Sequence, residues 1–459
     1  MARLTVALAT TVTVLSLAST PSLTAPSVYP TGTTIYDPAR AWNGYTVLSP
    51  LGTQAALVID MNGKVVKRWD GYNHSAGGPA RVLPGGHVIA ASGARPPHQE
   101  SLELVERDFD GNVIWRFDRN EQVETRDGET IWALRQHHDW QRDDFWAGYY
   151  SPEAEPASGA TQGRNTLVLT HTSHVVPDVA DVLLEDDRII EVTSEGEIVW
   201  EWIAGEHIDE LGFDAAARAV IRKAPGFNAE RGGFDWLHLN SATYVGPNRW
   251  FDTGDPRFAP DNVIVSSRQA SVVAIIARDG SIVWRLGPDF SVSVELRAIR
   301  QIIGQHQAHL IPPGLPGAGN LLVFDNGGAS GYGFVNPIAP NGTGAFVRPS
   351  SRVLEIDPVT LELVWSYQAG ARFFASNISG AQRLPNGNTL ITEGTTGRLF
   401  EVTTDGTIVW EYLNPLFTGP QSSNAVYRAY RLPYAWIPQL ERPNEKAVTP
   451  PALGELVVR

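Results

Sequence analysis

The phrase Asp110-Gly-Asn-Val-Ile-Trp115 is repeated along the chain, and the repetition decides the fold. The close copies are Glu195-Gly-Glu-Ile-Val-Trp200, Asp279-Gly-Ser-Ile-Val-Trp284 and Asp405-Gly-Thr-Ile-Val-Trp410, and looser copies end at Trp69 and Trp365. An acidic residue or Asn followed by Gly is typical of a tight turn, and a β-branched run after it is typical of a strand. Each copy therefore predicts the second half of a β-hairpin that ends in tryptophan.

A second phrase alternates with the first. Leu83-Pro-Gly-Gly-His-Val-Ile89 resembles Leu384-Pro-Asn-Gly-Asn-Thr-Leu-Ile391, and each predicts two strands joined by a turn. One repeat then holds about four strands, and the six tryptophans mark six repeats. The spacings of 46 residues from Trp69 to Trp115 and 45 from Trp365 to Trp410 match a propeller blade. The wider spacings between the middle tryptophans indicate inserted loops.

Six four-stranded repeats predict an all-β fold, a six-bladed β-propeller. The strand predicted at 427–432 has no Trp hairpin after it, and the hairpin ending at Trp69 has no such strand before it. Pairing the two closes the ring with N- and C-terminal strands and leaves no open edge. The repeated tryptophans are then expected to pack between blades. A pair of stacked β-sandwiches is the alternative, and residues 215–221 predict one short helix.

Composition excludes several classes of function. The 459 residues carry a formal net charge of −14 and no cysteine. An acidic chain lacks the basic surface of a nucleic-acid-binding protein, and without cysteine there is no thiolate metal site and no cysteine nucleophile. The hydrophobic share of 42% is ordinary for a folded protein.

The N-terminal segment predicts export. In residues 1–25 one Arg precedes an apolar run, and small residues follow, which is the layout of a secretory signal. We therefore expect a signal peptide at 1–25, a propeller catalytic domain at 26–439 and a C-terminal tail at 440–459, in a periplasmic or secreted protein without stable membrane insertion. A loosely held strand or an uncleaved anchor is the alternative for the first segment.

The inner strands of a propeller line its channel, so the residues that begin them meet at the channel mouth. Aligning the repeats on the residues before Leu-Pro places a polar and varied set in register: Gly78, His138, Asn240, His306, Ser379 and Tyr427. His238 shares a strand face with Asn240, and Arg268 ends the following strand. Histidines beside an arginine predict a site for an anion such as sulfate, phosphate or carboxylate.

The order of several motifs resembles the PAPS-independent arylsulfotransferase family over roughly residues 45–435. The motifs are Asp235-Trp-Leu-His-Leu-Asn-Ser241, Ser266-Ser-Arg268, Asp279-Gly-Ser-Ile-Val-Trp-Arg-Leu-Gly287, Gln305-His306 and Leu322-Val-Phe-Asp-Asn-Gly327. The resemblance implies a six-bladed propeller that moves a sulfuryl group from an aryl sulfate donor to a phenol acceptor and needs no cofactor. This chain is too short for the dimer-forming N-terminal β-sandwich of the longer bacterial members and lacks their disulfide, so the oligomeric state stays open.

The resemblance also assigns roles to residues. His306 matches the nucleophile that becomes sulfated, and His238, Asn240 and Arg268 match residues that hold the sulfuryl oxygens. Ser379 stands where bacterial members have Thr. A further active-site histidine matches His137 or His138, and the repeat register favours His138, which we expect to act as acid and base. Tyr427 lies in a closing segment that the resemblance places near the aromatic ring.

Other interpretations of these residues and of the whole protein stay open. His138 and His238 are alternatively buried histidines bonded to backbone. We predict no metal site, because His306 and His309, like His171 and His174, are three apart and face opposite sides of a strand; the latter two are expected in a loop. A structural cation in the channel stays open. The alternatives to a transferase are a non-catalytic binding propeller and an aryl sulfate hydrolase, and an added phenol acceptor separates the hydrolase from the transferase.

Overall fold

The computed structural model describes residues 31–450, except 74–77, 97, 126, 154–163, 227–233, 334–345 and 419–421. The predicted signal segment and residues 451–459 of the predicted tail lie outside this range. Within it, antiparallel strands dominate, as the sequence pattern predicts.

The first half of the chain forms fourteen of the described strands. In chain order they are β1 (Gly32–Tyr36), β2 (Tyr45–Pro50), β3 (Ala55–Ile59), β4 (Val65–Asp70), β5 (Arg81–Leu83), β6 (His87–Ser92), β7 (Glu103–Arg107), β8 (Val113–Phe117), β9 (Glu121–Glu124), β10 (Thr130–Ala133), β11 (Gln136–Arg142), β12 (Thr166–Val176), β13 (Ala180–Val192) and β14 (Ile198–Ile203).

The second half adds the remaining thirteen described strands. They are β15 (Leu239–Tyr244), β16 (Val263–Ser267), β17 (Val272–Ile276), β18 (Ile282–Leu286), β19 (His306–Leu310), β20 (Leu321–Asp325), β21 (Arg352–Ile356), β22 (Leu363–Tyr367), β23 (Gly380–Arg383), β24 (Thr389–Glu393), β25 (Arg398–Val402), β26 (Ile408–Leu413) and β27 (Val426–Leu432).

Helices are few and short in the described residues. The α-helices are α1 (Ala215–Lys223), α2 (Arg249–Asp252) and α3 (Val294–Ile299). Helix α1 contains the predicted helical stretch, and the carboxylate of Asp214 accepts the amide N–H of Ala217 at its N-terminus. No helix of the described residues is long and apolar enough to span a membrane.

The strands form six four-stranded antiparallel blades. Blade 1 is β27-β2-β3-β4, blade 2 is β5 to β8, blade 3 is β11 to β14, blade 4 is β15 to β18, blade 5 is β19 to β22 and blade 6 is β23 to β26. Strand β1 adds a fifth strand to the outer edge of blade 6, and the hairpin β9–β10 is inserted between blades 2 and 3. The six-bladed propeller is therefore confirmed.

Blade 1 joins the two ends of the chain. Strand β27 pairs with β2 in antiparallel register, with Tyr430 opposite Val47 and Leu432 opposite Tyr45. The N-terminal strand β2 and the C-terminal strand β27 thus close the ring in the way that the unmatched repeats predict. Beyond the blade, the Tyr45 hydroxyl donates to the Glu441 carbonyl (3.1 Å), and Tyr36 and Val448 form an isolated β-bridge, so residues 440–450 pack back onto the ends of the chain.

The six repeated tryptophans join each blade to the next. Each indole N–H donates to a backbone carbonyl in the outer turn of the following blade at 2.8–3.0 Å. The donor–acceptor pairs are Trp69 to Asp108, Trp115 to Ser194, Trp200 to Arg278, Trp284 to Pro358, Trp365 to Thr404 and Trp410 to Met61. The last pair returns from blade 6 to blade 1. The repeated phrase thus carries both halves of this indole ring, the donor in its Trp and the acceptor in or near its turn.

Buried ion pairs also cross between blades. Arg142, Arg383 and Arg431 lie at or one residue before the ends of the inner strands of blades 3, 6 and 1, and each pairs with a glutamate on the third strand of the preceding blade at 2.5–3.3 Å. The glutamates are Glu106, Glu355 and Glu401, and all three are buried. A buried charge is stable only when it is paired, so these contacts fix which blades are neighbours.

Candidate active site

The inner strands of the blades surround the channel and bring the predicted mouth residues together. Strands β11, β15, β19, β23 and β27 follow one another around the channel, each in contact with the next. At or next to the beginnings of these strands lie His138, Asn240, His306, Ser379 and Tyr427, all of them buried. Gly78 completes the ring before β5, where a Cβ atom would lie 2.0 Å from the His138 carbonyl oxygen, so only glycine fits.

The backbone at the mouth is strained at several positions. His138, His238, Gln307, Ile378 and Ser379 all have φ between 50° and 89°. This region is uncommon for residues other than glycine and is least favourable for a β-branched residue such as Ile378. Such strain costs about 1–3 kcal/mol per residue and is found where a functional geometry must be held.

His306 lies at the start of β19 with both ring nitrogens engaged. Its Nδ1 lies 2.8 Å from Asn326 Oδ1 and 3.1 Å from the Gly304 carbonyl oxygen, and both of these atoms are acceptors. The Asn326 amide is oriented by its own N–H bonds to the carbonyls of Ala375 and Ile378. Nδ1 must therefore carry the proton, and Nε2 holds a lone pair that accepts the Ile378 amide N–H at 3.1 Å.

His306 is neutral at physiological pH. Burial, with the positive charges of Arg268 and Arg428, lowers the pKa of His306 well below its ordinary value. A neutral imidazole with a fixed Nδ1–H is the form in which Nε2 acts as a nucleophile.

His238 lies across the ring and is oriented by a carboxylate. Its Nδ1 donates to Asp235 Oδ2 at 2.5 Å, and its backbone N–H donates to Asp235 Oδ1 at 2.9 Å. Burial opposes ionisation of Asp235, but the charge and hydrogen bond of His238, together with His171, lower the pKa of Asp235 below its ordinary value. Asp235 therefore stays ionised and fixes the ring of His238.

His138 and His137 face different neighbours. The ring of His138 packs edge-on against His238, with 4.6 Å between centroids, and lies 6.0 Å from the Tyr427 ring. His137 points into blade 3, where its ring stacks on His171 at 3.8 Å. The two histidines share one proton, because their Nδ1 atoms are 2.8 Å apart. Burial, with neighbouring histidines, lowers the pKa of His138 well below its ordinary value.

Arg268 follows β16, and its backbone N–H donates to the His238 carbonyl at 3.1 Å. Its Nη1 donates to Gln269 Oε1 at 3.3 Å. Burial lowers the pKa of Arg268 to about 10, so the guanidinium is still cationic at neutral pH. The structure therefore holds a buried positive charge near His306.

Asn240 bonds to the backbone on both sides of His306. Its Nδ2 donates to the Gln305 carbonyl at 2.7 Å, and its Oδ1 accepts the Gln307 N–H at 3.4 Å. These bonds tie strand β15 to β19 at the position of His306. Asn240 thus fixes the backbone from which the His306 ring projects.

Ser379 and Tyr427 complete the mouth. The Ser379 hydroxyl accepts the Gly394 N–H at 3.0 Å and lies 3.4 Å from the Asn377 carbonyl, so it bonds to backbone. Among the described residues, the buried Tyr427 hydroxyl has no hydrogen-bond partner. Burial raises the pKa of Tyr427 above its ordinary value, so the hydroxyl stays protonated.

Three residues of the site were not predicted as functional. Asp235 and Asn326 lie inside quoted motifs, and each fixes a mouth histidine. Arg428 follows Tyr427 and crosses the channel, where it donates to the carbonyls of Asn240 (2.6 Å) and Ser379 (3.3 Å) and pairs with Asp139 at 3.3 Å. The available signal was a charged residue next to a mouth position, which alone does not show that its side chain enters the channel.

A cluster of metal-ligating residue types lies behind the mouth. His137, His171 and Asp187 are buried, and one ligand atom of each lies within 4.8 Å of the others. The sequence-based prediction that places His171 and His174 in a loop is wrong. Both residues are in β12, which continues past the blade as a long hairpin with β13. The three residues come from three adjacent strands, so the spacing of histidines along one strand does not reveal the cluster.

A cavity of about 860 Å³ lies beside the ring. It is lined by aromatic and basic side chains that include Phe213, Arg285, Arg297, Arg300, Tyr332 and Phe346. None of the predicted site residues is in its lining. The Tyr332 hydroxyl donates to the Trp236 carbonyl at 2.5 Å, which connects the cavity wall to the segment before His238.

Comparison with known proteins gives one family match. A model of the Arylsulfotransferase (ASST) family matches residues 157–414, more than half of the chain. The matched range contains His238, Asn240, Arg268, His306 and Ser379, but it ends before Tyr427 and begins after His138. No curated protein was found to match the chain.

Solved structures share a general likeness with the chain at low identity. A protein of unknown function from Bacteroides caccae is 11% identical, with 85% of this chain and 100% of that chain covered and a TM-score of 0.43. A streptogramin B lyase is 12% identical over 85% of both chains, with a TM-score of 0.34. The Cps50 (Swd1) β-propeller domain from Myceliophteria thermophila is 11% identical, over 84% of this chain and 90% of that chain, with a TM-score of 0.36. TM-scores below 0.5 do not establish a shared fold, and the propeller fold of this chain is shown by its own strand pairing.

Proposed function

Because the chain belongs to the arylsulfotransferase family, we propose that it transfers a sulfuryl group from an aryl sulfate to a phenol through an intermediate sulfated on His306. The observation that carries the proposal is the tautomer of His306. Asn326 and Gly304 hold the proton on Nδ1, so the lone pair of a neutral ring is on Nε2 at the channel mouth. The Ile378 N–H that now binds this lone pair must release it when sulfur approaches.

The first step forms the bond between His306 Nε2 and sulfur while the bond between sulfur and the aryl oxygen breaks. The phenolate leaves with the electron pair of that bond. In the second step, the oxygen of a phenol acceptor bonds to sulfur, and the N–S bond breaks and returns the lone pair to Nε2. Sulfuryl transfer disperses charge over oxygens, as phosphoryl transfer does, so positioning and cationic donors supply most of the rate enhancement.

Arg268 and His238 are the donors that we propose for the sulfuryl oxygens. A guanidinium offers two N–H groups in the plane that a sulfate ester presents, and burial strengthens the attraction because little water screens it. The bonds of Asn240 to Gln305 and Gln307 favour a positioning role for this residue, in contrast to the direct contact that the resemblance implies. We place Ser379 and Tyr427 around the substrate.

His138 is the proposed acid and base. As a neutral ring it donates a hydrogen bond to the leaving phenolate oxygen in the first step, takes the proton of the acceptor phenol in the second, and then releases that proton to the departed phenolate or to water, so the enzyme ends with the proton count it began with. The edge of its ring contacts His238 among the mouth residues, and its Nδ1 shares one proton with His137 Nδ1.

The experiment is a transfer assay with a chromogenic aryl sulfate and a phenol acceptor. His306→Asn should reduce transfer by at least about 1,000-fold, because the nucleophile is gone. His87→Asn, at a partly exposed histidine of β6, is the matched control and should keep wild-type activity. Mass spectrometry of donor-treated enzyme should find a labile sulfate on the peptide that contains His306, and full activity in H306N contradicts the proposal.

The same assay separates the two alternatives. A transferase releases its chromogenic phenol faster when acceptor is added and forms a new aryl sulfate. An aryl sulfate hydrolase forms inorganic sulfate and does not respond to acceptor. A non-catalytic propeller turns over neither donor nor acceptor, and its His306 variant behaves like the wild type.

We further propose that the protein is exported after removal of residues 1–25. The proposal rests on the apolar run and the small residues that follow it in the sequence. N-terminal sequencing of the protein recovered from the periplasm or medium of an expressing bacterium tests it, and a mature protein that still starts at Met1 contradicts it.

A further inference from the structure

Blade 3 gathers two histidines and a carboxylate behind the mouth. His137 comes from β11, His171 from β12 and Asp187 from β13, and His171 and Asp187 are direct cross-strand neighbours. All three side chains are fully buried. The proposed sulfuryl transfer uses none of them directly.

The outer nitrogens of both imidazoles lack hydrogen bonds. Within the described residues, Nε2 of His137 and Nε2 of His171 are buried and have no hydrogen-bond partner. An unsatisfied buried polar atom costs about 1–3 kcal/mol, so two at one place need an explanation. One ligand atom of each residue lies within 4.8 Å of the others, and His137 Nε2 lies 3.3 Å from Asp187 Oδ1.

The far side of His171 is built to hold a proton on Nδ1. Its Nδ1 lies 3.3 Å from Glu100 Oε1. Glu100 is held in turn by Arg135 at 2.8 Å and Arg95 at 2.7 Å, so it is an anchored anion that accepts the Nδ1 proton. A histidine that donates its other N–H to a carboxylate is the usual arrangement of a metal ligand, because it fixes the tautomer and raises ligand basicity.

We propose that His137 Nε2, His171 Nε2 and the Asp187 carboxylate bind a divalent metal ion of the zinc class. Two imidazoles and one carboxylate favour borderline ions such as Zn²⁺, Fe²⁺ or Co²⁺ over Mg²⁺ or Ca²⁺, which prefer oxygen ligands alone. In the described part of the chain, Asp187 has no Arg or Lys in ion-pair contact, and Asp235 lies 4.0 Å from His171 Nε2.

The ion would connect to the mouth through His137. A metal on Nε2 leaves the proton on Nδ1, so His137 becomes the donor in the 2.8 Å bond to His138 Nδ1. His138 then carries its own proton on Nε2 and can donate a hydrogen bond to the leaving phenolate oxygen. The site is therefore a positioning device for His138, and its existence does not depend on the reaction.

The direct test is the metal content of the purified full chain. Elemental analysis should find about one zinc-class ion per chain, and dialysis against a chelator followed by Zn²⁺ or Co²⁺ should restore about one equivalent. Bound Co²⁺ should give the visible absorption bands of an imidazole–carboxylate site. Asp187→Asn and His171→Ala should lose the ion, and Glu100→Gln should weaken its binding about 10- to 100-fold, because Glu100 only orients His171.

His174→Ala is the matched control. His174 is on the same strand as His171, but it pairs with Asp186 at 2.8 Å outside the cluster, so this variant should keep the ion. Circular dichroism shows whether each variant is folded, and the Co²⁺ titration of the chelated wild type needs no variant. Failure of the chelated protein to bind Zn²⁺, Mn²⁺ or Co²⁺ overturns the proposal and leaves a proton shared between His137 and Asp187. Equal metal content in D187N and H174A overturns it too, because the ion is then bound elsewhere. Neither result depends on sulfuryl transfer.

Discussion

At the scale of single residues, the site is defined by which nitrogen of each histidine carries a proton. Asn326 fixes His306, Asp235 fixes His238, and the shared proton of His137 fixes His138. None of these partners is at the mouth itself. The orientation of the mouth histidines is therefore set one layer behind the mouth, where burial keeps the partners from being replaced by water.

His306 leads to a prediction about pH. Its pKa is held well below the ordinary value by burial and by Arg268, and attack requires the neutral ring. As pH falls, the contribution of His306 to kcat/KM should persist below pH 6.5, the ordinary histidine value, and be lost only as pH passes through the lowered pKa. A pH profile of donor turnover tests this, with circular dichroism to confirm folding at each pH. Loss of activity at or above pH 6.5 in a folded protein contradicts the prediction if the loss follows His306.

Arg268 leads to a second prediction, which concerns geometry more than charge. Arg268→Lys keeps a cation but loses the planar pair of donors, and we expect kcat/KM to fall about 100-fold with little change in Tm. Arg257→Lys, at a partly exposed arginine paired with Asp255, is the control and should leave turnover unchanged. Wild-type kcat/KM in R268K would show that any positive charge suffices.

At the scale of elements, each repeat contributes a β-hairpin and also one hydrogen bond between its tryptophan and the next blade. The indole N–H of one blade meets the outer turn of the next in all six pairs, even though the middle blades carry large insertions. Insertions enter between strands and leave the Trp and the turn carbonyl in place. This explains why the phrase stays recognisable where the spacing does not.

The indole ring predicts a graded loss of stability. Trp410→Phe keeps most of the aromatic ring but removes the indole donor from the buried Met61 carbonyl, which retains only the Thr33 hydroxyl at 3.3 Å, so the free energy of unfolding should fall by about 0.5–1.5 kcal/mol. Trp365→Phe removes a similar bond near the surface and should cost less, because water replaces it. Denaturant midpoints measure both. Trp132→Phe, at an exposed tryptophan of β10, is the control, and an equal loss in all three variants contradicts the role of the ring bonds.

At the scale of the whole molecule, the ring is closed by strands that are furthest apart in the sequence. Strand β27 supplies the inner strand of blade 1, and it also supplies Tyr427 and Arg428 to the site. Closure and site assembly are therefore one event. Arg428 makes the link physical, since its bonds reach blades 3, 4 and 6 from blade 1.

Closure predicts the behaviour of a truncated chain. A chain that ends at Ala425 leaves β2 as an uncovered edge and removes Arg428, one of the two charge partners of Asp139, so we expect aggregated protein without sulfuryl transfer. A control chain that ends at Pro450 keeps all described residues and should fold. Soluble yield and circular dichroism measure the outcome, and a folded Ala425 chain would show that the other five blades suffice.

The repeat made the fold predictable because its signal is local. A turn, a β-branched run and a tryptophan lie within a few residues of each other, and the count of copies gives the number of blades. That a residue lies at the channel mouth was predictable where it stands in the same register in each repeat, as His306 and Asn240 do, or on the same strand face, as His238 does. No function was predicted for Asp235, Asn326 and Arg428, because their roles depend on side-chain direction across the channel. The His137–His171 contact escaped because it joins two strands whose register is shifted between Gln136 and Trp140.

Because blade 1 contains the last described strand, it is the last blade to be completed during synthesis of the chain. Ribosomes add residues at about 5–20 per second, and domains fold as their parts emerge. Strand β27 is made after the other described strands, so His306 is present for many seconds before Tyr427 and Arg428 exist. Blades 2 to 6 can pair their own strands in that interval, but the mouth stays open on one side. The channel mouth of the nascent chain therefore lacks Tyr427 and Arg428 until the last strand is made, and assembly of the candidate site is a single late step.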